Sequence, residues 1–297
     1  MIIVRLRGGL GNQLFQYAAA RALADHHRTE LKLDLYTYTR HQYRKFELTR
    51  FNITATEATR SEVHQFTGSN PVTRYVNKRE NYFRCPKVFA QPHYHFYDDF
   101  FSLPDELYLS GYWQSERYFH PASSAIKSQF TLRTPLDDRN ASLQKKMLSE
   151  NSVAVHVRRG DYTASGYNSF FGLIPMSYYV NAIEKMRTDV VDPVFYIFSD
   201  DPSWCRQNFS KLNATIVDFN PGDNAFKDMV LMSSCANNII ANSTFSWWGA
   251  WLNSNPQKKV IAPRTWFRTD YLTRKEPVYP SRLYNTKDLI PQTWVRL

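Results

Sequence analysis

Cysteine is scarce in this chain: three in 297 residues, at Cys85, Cys205 and Cys235, with no Cys-x-x-Cys and no histidine pair at zinc spacing. That count excludes a disulfide-stapled scaffold and fits a reducing compartment. Long apolar runs are missing too. No uncharged apolar run of about 18 residues occurs, so no membrane-spanning helix is expected. Met1-Ile-Ile-Val4 is cut short by Arg5 and Arg7, which leaves no apolar core for a signal peptide, and a cytoplasmic protein is expected. Glycine is sparse at 10, and no Gly-Lys-Ser/Thr of a P-loop appears. There is no internal repeat and no low-complexity tract. Acidic side chains are the minority, 27 against 37 basic, for a formal charge of +10. Such a balance favours an anionic partner, whether nucleotide, nucleic acid or phospholipid surface, without choosing among them.

What is present reads as a globular α/β protein long enough for two domains. Hydrophobic residues make up 43% and aromatics 15%, which suits either a sugar- or base-stacking protein or an aromatic core. The most basic segment, residues 39–50, interleaves Arg40, Arg44, Lys45 and Arg50 with Tyr43, Phe46 and Leu48. No nucleic-acid module accompanies it, so it reads as a solvated face over a core, and no nucleic-acid partner is expected.

Strands are expected at Ile2–Leu6, Leu31–Leu35, Leu107–Trp113, around Val153, Pro193–Ser199, Ala214–Asp218, Asn237–Ala241 and Lys258–Ala262. Helical spacing follows Leu14 to His27, runs through Leu143, Met147 and Leu148, and recurs over Tyr178–Met186, Ala225–Ala236 and Phe245–Leu252. Alternating strands and helices predict doubly wound parallel sheets. Thr134 to Asn140 reads as a linker, giving domains at 1–140 and 141–297, with Asp288 to Leu297 expected to cross back toward the first.

Three segments carry the chemistry. Val153-Ala-Val-His156-Val-Arg158-Arg159-Gly160-Asp161 delivers a polar cluster to the C-terminal end of a strand, where open α/β sheets bind ligands. Paired arginines there suit phosphate oxygens, and an Arg–Asp salt bridge tying down a loop is the competing reading. Gly9-x-Gly11 follows a strand and opens a helix, with Asp34 placed as a ribose-binding acid would be, but Leu14 stands where the dinucleotide fingerprint needs a third glycine. A loop able to present N–H groups to a negative oxygen and a tight structural turn both fit. Asn242-Ser243-Thr244, before Phe245, Ser246 and three tryptophans, are N-cap types at a helix start that would welcome a phosphate. Trp251 is assigned to a core, and Trp247 to either core or ligand.

Together, His156-Val-Arg-Arg-Gly-Asp-Tyr162, Gly8-Gly-Leu-Gly-Asn-Gln-Leu-Phe-Gln-Tyr17 and Asn242-Ser-Thr-Phe-Ser-Trp-Trp248 resemble the α-1,2-fucosyltransferases of glycosyltransferase family 11. The motifs occur in that family's order and span most of the chain. The resemblance implies a GT-B-like architecture, two Rossmann-like domains with a cleft between them, and inverting transfer of L-fucose from GDP-fucose to the 2-hydroxyl of a terminal galactose. It implies no metal or other cofactor. By the same resemblance, Arg158, with Arg159, would grip the β-phosphate, His156 would lie near the nucleoside, and Asp228 would contact guanine or ribose. Ser243, Thr244, Phe245 and Ser246 would hold the diphosphate. Gly9, Gly11, Asn12 and Gln13 would serve the fucose or acceptor side. For the catalytic base, Asp161 comes first and His156 second, beside a route driven by leaving-group departure alone. In the related α-1,6 enzymes a proposed catalytic glutamate aligns with Gly166 here.

The charge argument agrees with the resemblance. Breaking the sugar–phosphate bond loads negative charge onto GDP, and arginine with helix-terminal N–H groups can stabilise it where a metal otherwise would. No Asp-x-Asp occurs, and Asp200-Asp201 before Pro202 read as a helix N-cap. Alternatives are a fucosyltransferase of another linkage and a nucleotide- or sugar-binding module without catalysis. Peripheral contact with an anionic membrane is compatible with the charge.

Overall fold

The computed structural model of the chain describes residues 1–40, 44–68, 87–160, 171–268 and 285–297. It divides into two units at Thr134/Pro135, with a segment ending at Leu289 grouped with the first and Ile290–Leu297 with the second.

The first unit carries β1 (Ile2–Arg5), α1 (Leu10–His26), β2 (Leu31–Asp34), α2 (Tyr36–Arg40), β3 (Thr56–Glu57), α3 (Arg60–Thr67), β4 (Val88–Ala90), β5 (Leu107–Ser110) and α4 (Ser123–Gln129). Its sheet has the order β3-β2-β1-β5-β4, and every pair is parallel. Ile2, Ile3 and Val4 are fully buried, as expected of a parallel strand covered on both faces. The helix after the glycine turn starts at Leu10, so Gly11 lies inside it, and Leu14 is fully buried core. Asp34, at the ribose-acid position of the fingerprint, is spent inside the unit: it accepts from Tyr36 N at 2.9 Å and from the Tyr108 hydroxyl at 2.6 Å. The segment before Pro135, hard to read from the sequence, supplies much of this core through Phe51, Phe100, Trp113, Tyr118 and Phe119. Strand β5 stops at Ser110 instead of running to Trp113, because Gly111 turns the chain and Trp113 takes a left-handed φ of 56°.

The second unit carries α5 (Asp138–Leu148), β6 (Ser152–Val157), α6 (Met176–Asp189), β7 (Val194–Ser199), α7 (Pro202–Asn208), β8 (Ala214–Val217), α8 (Phe226–Ser234), β9 (Asn237–Ile239), α9 (Thr244–Leu252), β10 (Val260–Ala262) and β11 (Val295–Arg296). Helix α5 begins before residue 140 yet belongs wholly here. The sheet order is β11-β10-β9-β6-β7-β8, again parallel throughout. Val153, Val155, Val157, Phe195, Ile197 and Ile239 form its core with Tyr179 and Met186 of α6. Of the final segment, Asp288 falls with the first unit, where it accepts from Phe96 N at 3.1 Å, whereas β11 closes the edge of the second unit's own sheet.

Candidate functional site

Strand β6 is where the second sheet changes direction. From it the chain proceeds outward through β7 and β8, then returns to lay β9 against the other flank of β6. Loops leaving the C-terminal ends of β6 and β9 therefore diverge, which opens the crevice where α/β sheets hold ligands. His156, Arg158 and Arg159 lie at the end of β6, and Ser243 and Thr244 follow β9. The His156 and Phe245 rings meet at 5.8 Å, so the structure brings these two segments together. Asp161 lies outside the described residues.

The arginines are not left to wave in solvent. Register continues past the paired strands, so Arg158 and Arg159 fall beside Asp200 and Asp201 at the end of β7. Arg158 Nε pairs with Asp200 at 3.1 Å, and the other Asp200 oxygen accepts from Arg159 N at 2.8 Å. Arg159 Nε approaches Asp201 at 3.5 Å, while its guanidinium lies 4.2 Å from the Trp204 ring centroid. Asp201 also caps α7, accepting from Trp204 N at 3.1 Å. The salt-bridged reading is what the structure shows, and the carboxylates hold both forks at the C-terminal edge of the sheet. Gly160 earns its place by closeness, since a Cβ there would stand 2.8 Å from Asp200 Oδ2.

His156 is buried, and its Nδ1 has no hydrogen-bond partner among the described residues. Burial, then the nearby Arg158 charge, pulls its pKa down to about 3. A neutral imidazole so reluctant to take a proton is a poor general base, which corrects the second base assignment. Asp228, in the first turn of α8, is partly buried and accepts from Asn220 Nδ2 at 2.8 Å; burial pushes its pKa up to about 7, against the lowering effect of that bond.

Around α9, Ser243 is the N-cap residue but its side chain makes no capping bond, so the first-turn N–H groups gain no partner from it. Asn242 instead ties the strand end down, donating to Phe171 O at 3.0 Å and Trp266 O at 3.2 Å. Thr244 and Phe245 are partly exposed. Ser246 is buried with Oγ turned back to Ser243 O at 3.3 Å, so its hydroxyl is not offered to a ligand. Trp247 is fully buried, 5.4 Å from Trp294 and 6.3 Å from Trp251, and so belongs to the core.

In the first unit, Gly8 carries the left-handed φ of +83°, and Gly9 is the extended N-cap of α1. Gln13 is fully buried: its amide donates to Gly8 O at 3.1 Å and Lys45 O at 2.8 Å, and accepts from Glu47 N at 2.9 Å. With its hydrogen bonds spent on holding the loop, it is a structural residue, which corrects its acceptor-side assignment. Asn12 is partly exposed and accepts from Gln114 Nε2 at 2.9 Å.

The model of glycosyl transferase family 11 matches residues 79–283. The chain belongs to glycosyltransferase family 11. Among curated relatives of this family-11 chain, an α-1,2-colitosyltransferase of Escherichia coli is 34% identical and covers 100% of the chain and 99% of its own length. The O-antigen biosynthesis glycosyltransferase WbnK of Escherichia coli is 36% identical over 88% of the chain and 93% of its own. Galactoside α-(1,2)-fucosyltransferase 1 of Lagothrix lagotricha is 32% identical over 49% of the chain and 43% of its own. Among solved structures, the NodZ α-1,6-fucosyltransferase soaked with GDP-fucose aligns with TM-score 0.53 at 16% identity, over 86% of this chain and 96% of that one. At that identity the likeness is one of fold: a GT-B-like chain with two parallel-sheet α/β units.

Sequence reasoning on the family-11 chain missed Asp200 and Asp201 as the residues that hold the Arg158 and Arg159 side chains, one each. A signal existed: an aspartate pair directly after the next strand in the expected sheet order, opposite an arginine pair. Asn220 was missed as well, because no motif marks a residue that works by orienting Asp228.

Proposed function

We propose that this chain is an inverting galactoside α-1,2-fucosyltransferase, moving L-fucose from GDP-fucose to the 2-hydroxyl of a terminal galactose without a metal. The observation that carries this reading is the meeting of His156, two residues before Arg158, with Phe245 in the first turn of α9, at the switch point of one sheet. As the sugar–phosphate bond breaks, Arg158 and the α9 N–H groups stabilise the charge gathering on the β-phosphate. Arg159, held by Asp201 and Trp204, serves the same diphosphate, and the free oxygen of Asp228 accepts from guanine or ribose. His156 stays neutral, and its buried face with Phe245 flanks the nucleoside. Asp161 is the base that takes the galactose 2-hydroxyl proton as that oxygen attacks from the face opposite GDP. Asn12 serves the acceptor.

A second reading keeps the chemistry and changes the sugar. The full-length similarity to an α-1,2-colitosyltransferase favours GDP-colitose, whose sugar is fucose without its 3-hydroxyl. Among the described residues, no helix is long and apolar enough to cross a membrane. We place the enzyme in the cytoplasm, peripherally on anionic membrane where its acceptor is lipid-linked. Incubation with GDP-fucose or GDP-colitose and a panel of galactosides, with and without EDTA, tests donor, acceptor and metal independence together. Fucosylation that survives EDTA is expected; transfer of colitose alone would replace the donor.

A further inference from the structure

The sheet of the first unit has its own switch point. Strand β1 stands between β2 and β5, so the loops after β1 and β5 leave its C-terminal edge beside each other. Two residues 102 apart in sequence meet there: Gln114 Nε2 donates to Asn12 Oδ1 at 2.9 Å. On the other side the Asn12 amide rests on bare backbone, for a Cβ on Gly8 would come within 2.6 Å of Asn12 Nδ2. The amide is clamped from both sides, with its oxygen turned to Gln114.

The clamp is costly. Gln114 is only 4% exposed, and its own Oε1 is buried with no hydrogen-bond partner among the described residues. A buried amide oxygen without a donor weakens the fold. Trp113, next to it, is fully buried at a φ of 56°, a conformation bulky side chains rarely take. Gln91 Oε1 holds the turn by accepting from Tyr112 N at 2.8 Å and Trp113 N at 3.1 Å. Folding alone would be served at least as well by an apolar residue in place of Gln114.

We infer that Gln114 is a positioning residue: it locks the Asn12 amide with its oxygen inward, so that Nδ2 is the atom offered to a hydroxyl or ring oxygen of the acceptor sugar. This rests on the acceptor reading above, in which Asn12 serves the galactoside. Gln114 never touches the sugar. Its effect on the acceptor passes wholly through Asn12.

The test is a double-mutant cycle on lactose affinity, read by titration in the presence of GDP, with Gln114→Met and Asn12→Ala singly and together. Each single change is expected to weaken lactose about tenfold, the scale of one hydrogen bond. In the Asn12→Ala background Gln114→Met should change affinity by less than twofold. GDP affinity should stay within about twofold, and Tm should hold or rise, which a merely structural glutamine would not allow. Gln114→Glu, equal in shape but unable to donate, should turn the Asn12 amide over and weaken lactose at least as much. An equal loss from Gln114→Met in both backgrounds, no loss in the parent, or a parent that binds no lactose would overturn the inference. A parent that binds lactose yet consumes no GDP-fucose overturns the donor reading alone, and the binding constants still decide for Gln114.

Discussion

Replacing Asp200 by asparagine should separate donor binding from catalysis. The side chain keeps its shape and can still accept from Arg159 N, but it loses the charge that pairs with Arg158 Nε at 3.1 Å. Two effects then oppose each other. Removing a carboxylate about 6 Å from a bound phosphate relieves about 1.4 kcal/mol of repulsion at an effective dielectric of about 40. Releasing the guanidinium from its charge-assisted bond forfeits about 1.5–3 kcal/mol of orientation. Ground-state binding of GDP tolerates a mobile arginine, whereas the transition state needs the fork fixed in advance. GDP should therefore bind up to about tenfold more tightly, while kcat falls about 10- to 100-fold. Calorimetric titration with GDP and initial rates with GDP-fucose and lactose measure the two halves, and the unfolding midpoint controls for folding. Weaker GDP binding in proportion to the lost rate, or kcat within threefold of the parent, would refute the orienting role of Asp200.

Further outcomes follow from the same geometry. Gly160→Ala puts a methyl 2.8 Å from Asp200 Oδ2 and should cost about 1–3 kcal/mol of stability, with a loss of kcat like that of Asp200→Asn; unchanged activity in steady-state assays would contradict it. With its pKa raised to about 7, Asp228 is carboxylate only above that, so GDP affinity measured by calorimetry should strengthen from pH 6 to pH 8 and lose that trend in Asp228→Asn. For stability its sign is opposite: the contribution is full below about pH 4, the unfolded value, and is lost as pH rises through about 7. His156, lowered to about 3, contributes stability that is full above about pH 6.5 and lost as pH falls toward 3. Between pH 6.5 and 5 that amounts to about 2 kcal/mol by denaturant titration, and the slope should vanish in His156→Phe.

The second unit was the more legible in the sequence, because β6, β7 and β10 are short β-branched or aromatic runs largely buried on both faces, and the longer helices between its strands have plain periodicity. The described residues between 87 and 135 resisted because their order comes from aromatic packing of Phe100, Trp113 and Tyr118 and from short 3-10 turns at Glu116–Tyr118 and His120–Ala122, none of which has a period. At the site, residue types announced Arg158, Arg159, Ser243 and Thr244. The partners did not announce themselves, because pairing of Asp200 with Arg158 depends on which strands are neighbours. Gln13 and Ser246 misled for a related reason: a polar side chain in a motif can be spent on its own loop, and only the hydrogen bonds of the folded chain distinguish that from readiness for a ligand.

The central claim is that the second unit holds a GDP-sugar with Arg158 on its leaving phosphate. Product analysis by NMR after reaction of GDP-fucose with lactose, run beside Arg158→Ala, tests it most directly. The parent is expected to give an α-linked fucose on the galactose 2-hydroxyl. The variant is expected to react at least 100-fold more slowly, the scale of about 3 kcal/mol of transition-state stabilisation, with folding intact. A different linkage or a retained configuration, or a variant within tenfold of the parent, would contradict it.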